Sequence, residues 1–174
     1  MGVMSNSFYV DLQFSKTEVA TITKVYGVIM TLVGSAVGGV LVMRFGTLRI
    51  LFLGAVLTAS TNLLFALLNQ VGHNLELLTL IISLDNLSAG IATAAFVTYL
   101  SSLTNVAFSA TQYALFSSIM LLLPKLLAGF SGHFVELFGY SSFFIGTSLL
   151  GIPVMVLIIM ASKRNKHLSS KANK

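Results

Sequence analysis

The chain has 174 residues, of which 56% are hydrophobic and only 9% are charged, and its formal net charge is +5. Soluble domains carry about 25% charged residues, so this composition excludes a water-soluble globular protein and indicates a membrane protein with several spans. Cysteine is absent, which excludes disulfides and thiolate metal sites. Five of the ten basic residues lie in the last twelve positions, which is typical of a cytoplasmic tail and not of a nucleic-acid-binding surface.

The first segment, residues 1–16, is too short to cross a bilayer before the first apolar run. It also lacks the basic start and the apolar centre of a secretory signal. We interpret it as an external segment that forms the end of a missing or partial helix.

Five apolar segments follow, each close to or above the length of about 20 residues that a helix needs to cross the hydrocarbon core. They cover approximately residues 19–43, 50–68, 77–103, 113–130 and 141–161. Short connectors rich in turn formers separate them: RFGTLR, NQVGHN, TNVAFSAT and SGHFVELFGY. The sequence therefore predicts an all-α integral membrane protein with about five transmembrane helices plus a partial one. The bundle covers residues 17–161, and residues 162–174 form a basic cytoplasmic tail.

The basic residues predict one orientation of these spans. Arg44 and Arg49 lie in the first connector, on the same side of the membrane as the basic tail, whereas the connectors with Glu76 and Glu136 lie on the opposite side. Cytoplasmic loops are enriched in lysine and arginine. We therefore expect a multi-pass protein of a bacterial cytoplasmic (inner) membrane, with its C-terminus in the cytoplasm.

Small residues pattern the first span for close helix packing. Gly34 and Gly38 form a Gly-x-x-x-Gly face, which lets two helix backbones approach each other. Either this face is an ordinary packing surface, or it is a seam along which helices slide during transport.

Three charged residues lie inside the predicted spans, at comparable depth: Lys24, Asp85 and Lys125. An ionised group in hydrocarbon is costly, so such residues usually have a partner or a function. We predict that Asp85 pairs with Lys24, either to line a path for substrate or protons or only to position the helices. Lys125 follows the helix-breaking Pro124, and it either joins an ion pair or extends to the membrane surface.

The helix that carries Asp85 has a small, hydroxylated stripe. Ser88 and Tyr99 share the sector of Asp85, and Asn86 and Thr93 lie on its flank. This pattern is expected of a water-filled path. No metal or cofactor site is predicted, because the three histidines are isolated, and Asp85 has no second acid within the spans with which to form a catalytic pair.

Two stretches carry a family resemblance: LDNLSAGIATAAFVTYLSSLTNVAFSATQYALFSS and SGHFVELFGYSSFF. Together with FSKTEVATITKVYGVIMTLVGSAVGGVLVMRFGTLRILFLG, they resemble the C-terminal half of AmpG-type muropeptide permeases of the major facilitator superfamily. The resemblance implies the C-terminal bundle of a twelve-helix importer of anhydro-muropeptides, driven by protons and serving peptidoglycan recycling. Residues that match the family pattern are Lys24, Asp85, Asn86, Thr111 and Gln112. The candidate path residues are Asp85, Asn86, Lys24, Ser88, Thr93, Tyr99, Gln112 and Lys125.

The connector GGVLVMRFGTLR resembles the cytoplasmic loop motif of the superfamily. Gly39, Arg44 and Gly46 match that motif, with Arg49 as a further basic residue, while Met43 replaces the acidic position. The family often has Gly-Arg where this chain has Pro124 and Lys125, so the basic charge there is shifted by one position or lost.

The resemblance covers one half of a permease, and substrates of the superfamily bind between two halves. We therefore expect the chain to be incomplete on its own and to need a complementary N-terminal half. The alternative is a non-transporting remnant or an accessory protein that binds another membrane protein. An intramembrane enzyme is disfavoured because catalytic residues are lacking.

Overall fold

Helices account for almost all of the chain that the structure describes. The computed structural model describes residues 5–103 and 109–172, and it contains no β-strand in those ranges. The helices, in chain order, are α1 (Ser5–Asp11), α2 (Lys16–Thr21), a π-helical turn (Ile22–Gly27), α3 (Val28–Phe45), α4 (Thr47–Val71), α5 (Leu75–Leu103), α6 (Ser109–Leu149) and α7 (Gly151–Ala172). The predicted all-α fold is confirmed. Most of the predicted connector TNVAFSAT lies outside the described residues.

Four segments of the described chain are long and apolar enough to cross a membrane. They are Lys16–Phe45, Thr47–Val71, Leu75–Leu103 and Ala128–Lys163, and Ala110–Leu122 is a shorter apolar helix. The first three contain the first three predicted spans. The boundaries of the last two predicted spans differ from the helices, because α6 continues as a helix through most of the connector SGHFVELFGY.

Single glycines make three of the turns between helices. Gly46, Gly72 and Gly139 have φ values of 89°, 83° and 77°. Their ψ values of 150°, −149° and 167° complete a backbone conformation that is accessible almost only to glycine. The helix therefore ends at Phe45, at Val71 and before Gly139, even though the flanking residues favour helix. This is why the turns are tighter than the predicted connectors.

The N-terminal segment packs against the rest of the bundle. Phe8, Tyr9 and Phe14 are buried, and the Phe8 ring contacts the rings of Phe65 and Phe144 edge to face. Close to this cluster, the Tyr140 hydroxyl donates to Oδ2 of Asp11 at 2.7 Å, and the Phe14 ring stacks on the His73 ring. Residues 8–14 are thus held by the ends of α4 and α6.

α2 begins with a capping box. The Glu18 amide donates to the Ser15 hydroxyl, and the Ser15 amide donates in return to the Glu18 carboxylate at 2.9 Å. These two bonds satisfy backbone donors that the first turn of a helix otherwise leaves unpaired. They fix the point at which the chain enters the first long helix.

α5 lies between α3 and α4 in contact with the backbone of both. A Cβ on Gly38 would lie 2.8 Å from the Cα of Ile91, and a Cβ on Gly34 would meet the carbonyl of Leu87. A step of four residues along α3, from Gly34 to Gly38, corresponds to a step of four residues along α5, from Leu87 to Ile91. The two helices therefore run in the same direction. On the other side, Gly54 packs against Ala92. Only glycine fits at these positions, because a methyl group would overlap the neighbouring backbone.

Candidate functional site

Asp85 is half-buried in the middle part of α5, where it faces α4. The Thr61 hydroxyl of α4 donates to its Oδ1 at 2.9 Å. The same hydroxyl oxygen lies 3.0 Å from the carbonyl oxygen of Thr58. Burial and then the negative charge of Asp85 raise the pKa of the Tyr9 phenol in α1. The Asp85 carboxyl group itself sits in a polar cluster formed by α4 and α5.

The predicted ion pair between Asp85 and Lys24 is wrong for this structure. Lys24 lies in the π-helical turn and is exposed, and within residues 5–103 and 109–172 neither group takes part in an ion pair. The physical reason is the orientation of α5, which points Asp85 towards Thr61 on α4. The partner of Asp85 is therefore the Thr61 hydroxyl and not the Lys24 amine that the sequence predicted.

Asn86, the next residue, faces the opposite neighbour. Its Oδ1 accepts a hydrogen bond from the Thr31 hydroxyl of α3 at 3.1 Å, and its Nδ2 donates to the carbonyl of Ile82 at 2.8 Å. A Cβ on Gly27, the last residue of the π-helical turn, would lie 3.3 Å from this Nδ2. Successive helix residues differ by about 100° in direction, so Asp85 and Asn86 connect α5 to two different helices.

The residues of the predicted polar stripe on α5 lie in two different surroundings in the structure. Ser88 is buried, and its hydroxyl donates to the carbonyl of Leu84 at 2.7 Å. Thr93 and Tyr99 line a separate cavity of about 660 Å³ between α4, α5 and the α6–α7 region. Asp85 is not among the residues that line this cavity.

The remaining path candidates lie on α6. Gln112 is half-buried and Lys125 is exposed. Lys125 belongs to no ion pair within the described chain. The structure does not show these two residues in contact with Asp85.

The residues of the loop motif surround the turn between α3 and α4. Gly46 makes the turn, whereas a Cβ on Gly39 would meet nothing within 4 Å. Arg44 and Arg49 are exposed, and the Arg44 guanidinium lies 5.7 Å from the centre of the Phe45 ring. Met43 is 81% exposed, at the position where the superfamily motif has an acid. The basic groups therefore lie at one end of the bundle. Lys163 belongs to the same end, because Ala161 of α7 and Leu48 of α4 line the same cavity.

Two contacts of the site were missed by sequence reasoning: Thr61 and Thr31. Thr61 carried a usable signal, because it belongs to the polar run Thr-Ala-Ser-Thr-Asn inside an otherwise apolar span. Among the described residues, no group of three or more histidine, aspartate or glutamate side chains is placed to hold a metal ion.

Comparison with known proteins assigns this helical bundle to a class. The whole chain, residues 1–174, matches the family model of the Major Facilitator Superfamily, and the chain belongs to that superfamily of membrane transporters. It is 33% identical over 173 residues to the Putative transporter AmpG 4 of Rickettsia conorii, an alignment that covers 99% of this chain and 40% of the relative. It is 31% identical over 147 residues to the Anhydromuropeptide permease of Escherichia coli, covering 84% of this chain and 30% of the relative.

These similarities confirm the resemblance to AmpG-type permeases. The chain is a multi-pass membrane protein of a transporter family, and the interpretation that it is not an enzyme agrees with the named functions of its relatives. The chain spans about two fifths of the length of the first of these relatives.

Proposed function

We propose that this chain forms the C-terminal part of a proton-coupled permease for anhydro-muropeptides in a bacterial inner membrane. The observation that supports this most directly is Asp85, a half-buried carboxyl group in a membrane-spanning helix, whose hydrogen-bond partner in the described chain is a hydroxyl and not a cation. Ionisable groups in such positions mark ion and proton pathways. The similarity to the Anhydromuropeptide permease supports the class of substrate.

Thr61 is suited to a carboxyl group that gains and loses a proton. When Asp85 is ionised, the Thr61 hydroxyl donates to it. When Asp85 is protonated, the carboxyl group donates to the Thr61 oxygen, which then donates its own hydrogen to the carbonyl of Thr58 at 3.0 Å. One hydroxyl thus satisfies both forms of the acid without any movement of the helices.

A complementary set of helices completes the transport path in this proposal. The alignment covers 40% of the first relative, and substrates of such transporters bind at the interface of two repeats. The described helices supply one wall of that interface. We also propose that the end with Arg44, Arg49 and Lys163 faces the cytoplasm, since it carries the excess of basic residues.

Uptake measurements test the role of Asp85. The variant Asp85→Asn is introduced into the chain co-expressed with a complementary N-terminal half. Uptake of labelled anhydro-muropeptide into right-side-out vesicles is followed with and without an inward proton gradient. We expect uptake to be lost while the protein remains inserted and abundant. The matched control is Glu76→Gln, at an exposed position in the first turn of α5. Gradient-dependent uptake by Asp85→Asn at the level of the control contradicts the proposal.

A second experiment tests the need for a complementary half. Expressed alone, residues 1–174 should not accumulate labelled anhydro-muropeptide in vesicles, and co-expression should restore uptake. Uptake by the purified chain alone contradicts this part of the proposal. A chain that never supports uptake with any complementary half, yet co-purifies with another membrane protein, favours the accessory role.

A further inference from the structure

The cavity of about 660 Å³ is separate from the Asp85 cluster and has no assigned role. It lies within the membrane-spanning segments, and no charged residue is among the residues that line it in the described chain. Its apolar walls come from α4, α5 and α7: Leu48, Leu51, Ala55, Phe96, Val154 and Leu157. The volume falls within the range of about 300–1,000 Å³ that is usual for ligand sites.

The cavity is elongated along the helices. Its lining on α4 runs from Leu48 to Asn62, which corresponds to about 21 Å of helix. The Ser148 hydroxyl donates to the carbonyl of Ala59 at 2.9 Å, so α4 and the α6–α7 region lie side by side along this length. Half of the hydrocarbon core measures about 15 Å. The acyl chain of a lipid, which reaches from one membrane surface to about the centre of the bilayer, therefore fits within the cavity.

Basic residues stand at one end of the cavity. Leu48 and Ala161 belong to its lining, and Arg49 and Lys163, both exposed, follow them in α4 and α7. Arginine binds phosphate through two parallel hydrogen bonds, and basic pockets between transmembrane helices bind anionic headgroups. The opposite end has only uncharged polar groups, such as Asn62 and Thr147.

From the shape, the apolar lining and the position of the charges, we propose that this cavity binds one acyl chain of an anionic phospholipid. The acyl chain lies between α4, α5 and α7, and the phosphodiester headgroup contacts Arg49 and Lys163. The lipid is a bound structural ligand of the bundle and takes no part in the proton path of Asp85.

Photolabelling tests the acyl-chain site. Membranes that contain the full chain are labelled with phosphatidylglycerol carrying a photoreactive group on its acyl chain, and the labelled peptides are identified by mass spectrometry. We expect the label on peptides with Thr58, Ala59 and Leu157. Ala55→Phe fills the cavity and should lower this labelling by about fivefold, the equivalent of about 1 kcal/mol. The control, Ala36→Phe, makes the same change at an exposed position outside the cavity and should leave labelling unchanged.

If Ala55→Phe fails to accumulate, Thr58→Leu fills the same space with a smaller addition. Equal labelling of the cavity variant and the Ala36→Phe control overturns the proposal. So does crosslinking that places a helix of another protein, or a second copy of this chain, in the cavity.

A competition experiment tests the headgroup. Unlabelled phosphatidylglycerol should displace the probe better than phosphatidylcholine with the same acyl chains, and Arg49→Gln should abolish this preference. Lys16→Gln, at the opposite end of the bundle, is the matched control and should retain it. Equal competition by both lipids in the unaltered chain, or stronger competition by a free fatty acid, overturns the assignment to an anionic phospholipid.

Discussion

Asp85 and Asn86 are neighbours in the chain, yet they bind two different helices. Their polar character inside an apolar segment was enough to predict both as candidate site residues from the sequence. The partner of Asp85 could not be identified, because the rotation of α5 about its axis is set by glycine contacts with α3 and α4. Charge complementarity predicted Lys24, whereas the packing of α5 against α4 selected Thr61.

Removing the Thr61 hydroxyl should impair uptake by the assembled transporter. In Thr61→Val the side chain keeps its shape but loses the hydrogen bond to Asp85. A hydrogen bond to a charged group contributes about 1.5–3 kcal/mol, so we expect uptake to fall at least about tenfold. Thr61→Ser restores the hydroxyl and should restore most of the rate. Equal rates for the valine and serine variants would show that the bond has no role.

Neutralising Lys24 should have little effect on folding. The side chain is exposed and belongs to no ion pair in the described part of the chain. Lys24→Gln should therefore leave the amount of folded protein in the membrane unchanged, as measured by fluorescence-detected gel filtration of a fusion. A large loss of folded protein that is reversed by adding Asp85→Asn would reinstate the ion pair predicted from the sequence.

At the scale of the helices, glycine positions explain both the close packing that the sequence predicted for the first span and the helical connector that it did not predict. The Gly-x-x-x-Gly spacing pointed to close packing of the first span, and Gly34 and Gly38 do lie against α5. The connector SGHFVELFGY read as a loop because of its glycines and its polar residues. Only Gly139 breaks the helix there, since helix geometry tolerates Gly132 when its neighbours favour helix. Composition alone does not tell a turn glycine from a helical one.

Two glycine positions on α3, five residues apart, give a matched test of the packing. A Cβ on Gly34 would overlap the backbone of α5, whereas a Cβ on Gly39 would meet nothing within 4 Å. Gly34→Ala should therefore destabilise the bundle by about 1–3 kcal/mol. Gly39→Ala should be neutral or stabilising, because alanine favours helix by about 1 kcal/mol over glycine. Thermal unfolding in detergent measures both, and an equal loss in the two variants would contradict the close contact.

On the scale of the whole molecule, composition and hydropathy were sufficient for the all-α membrane fold. The boundaries of the fourth and fifth spans were not predictable in the same way. The polar connector SGHFVELFGY marks the approximate position of the turn, but its composition does not show that the helix continues through most of it and ends only before Gly139. The orientation rests on charge placement and stays a prediction.

The absence of cysteine makes the orientation directly measurable. Single variants Lys163→Cys and Glu136→Cys each introduce one thiol into a chain that has none. In intact cells a membrane-impermeant thiol reagent should label Glu136→Cys, and Lys163→Cys should react only after the membrane is opened. The reverse pattern of labelling would contradict the proposed cytoplasmic C-terminus.

The glycine contacts between α3 and α5 also limit how the protein can move. Gly34 faces Leu87 and Gly90 faces Thr31, so backbone atoms of the two helices touch. A shift by one residue, about 1.5 Å, would bring side-chain carbons to the places that glycine hydrogens now occupy. We therefore expect the two helices to move as one rigid body, so that in the proposed transporter any opening occurs at a boundary elsewhere. A covalent link between α3 and α5 should leave uptake intact, whereas a link from α5 to the complementary helices should stop it.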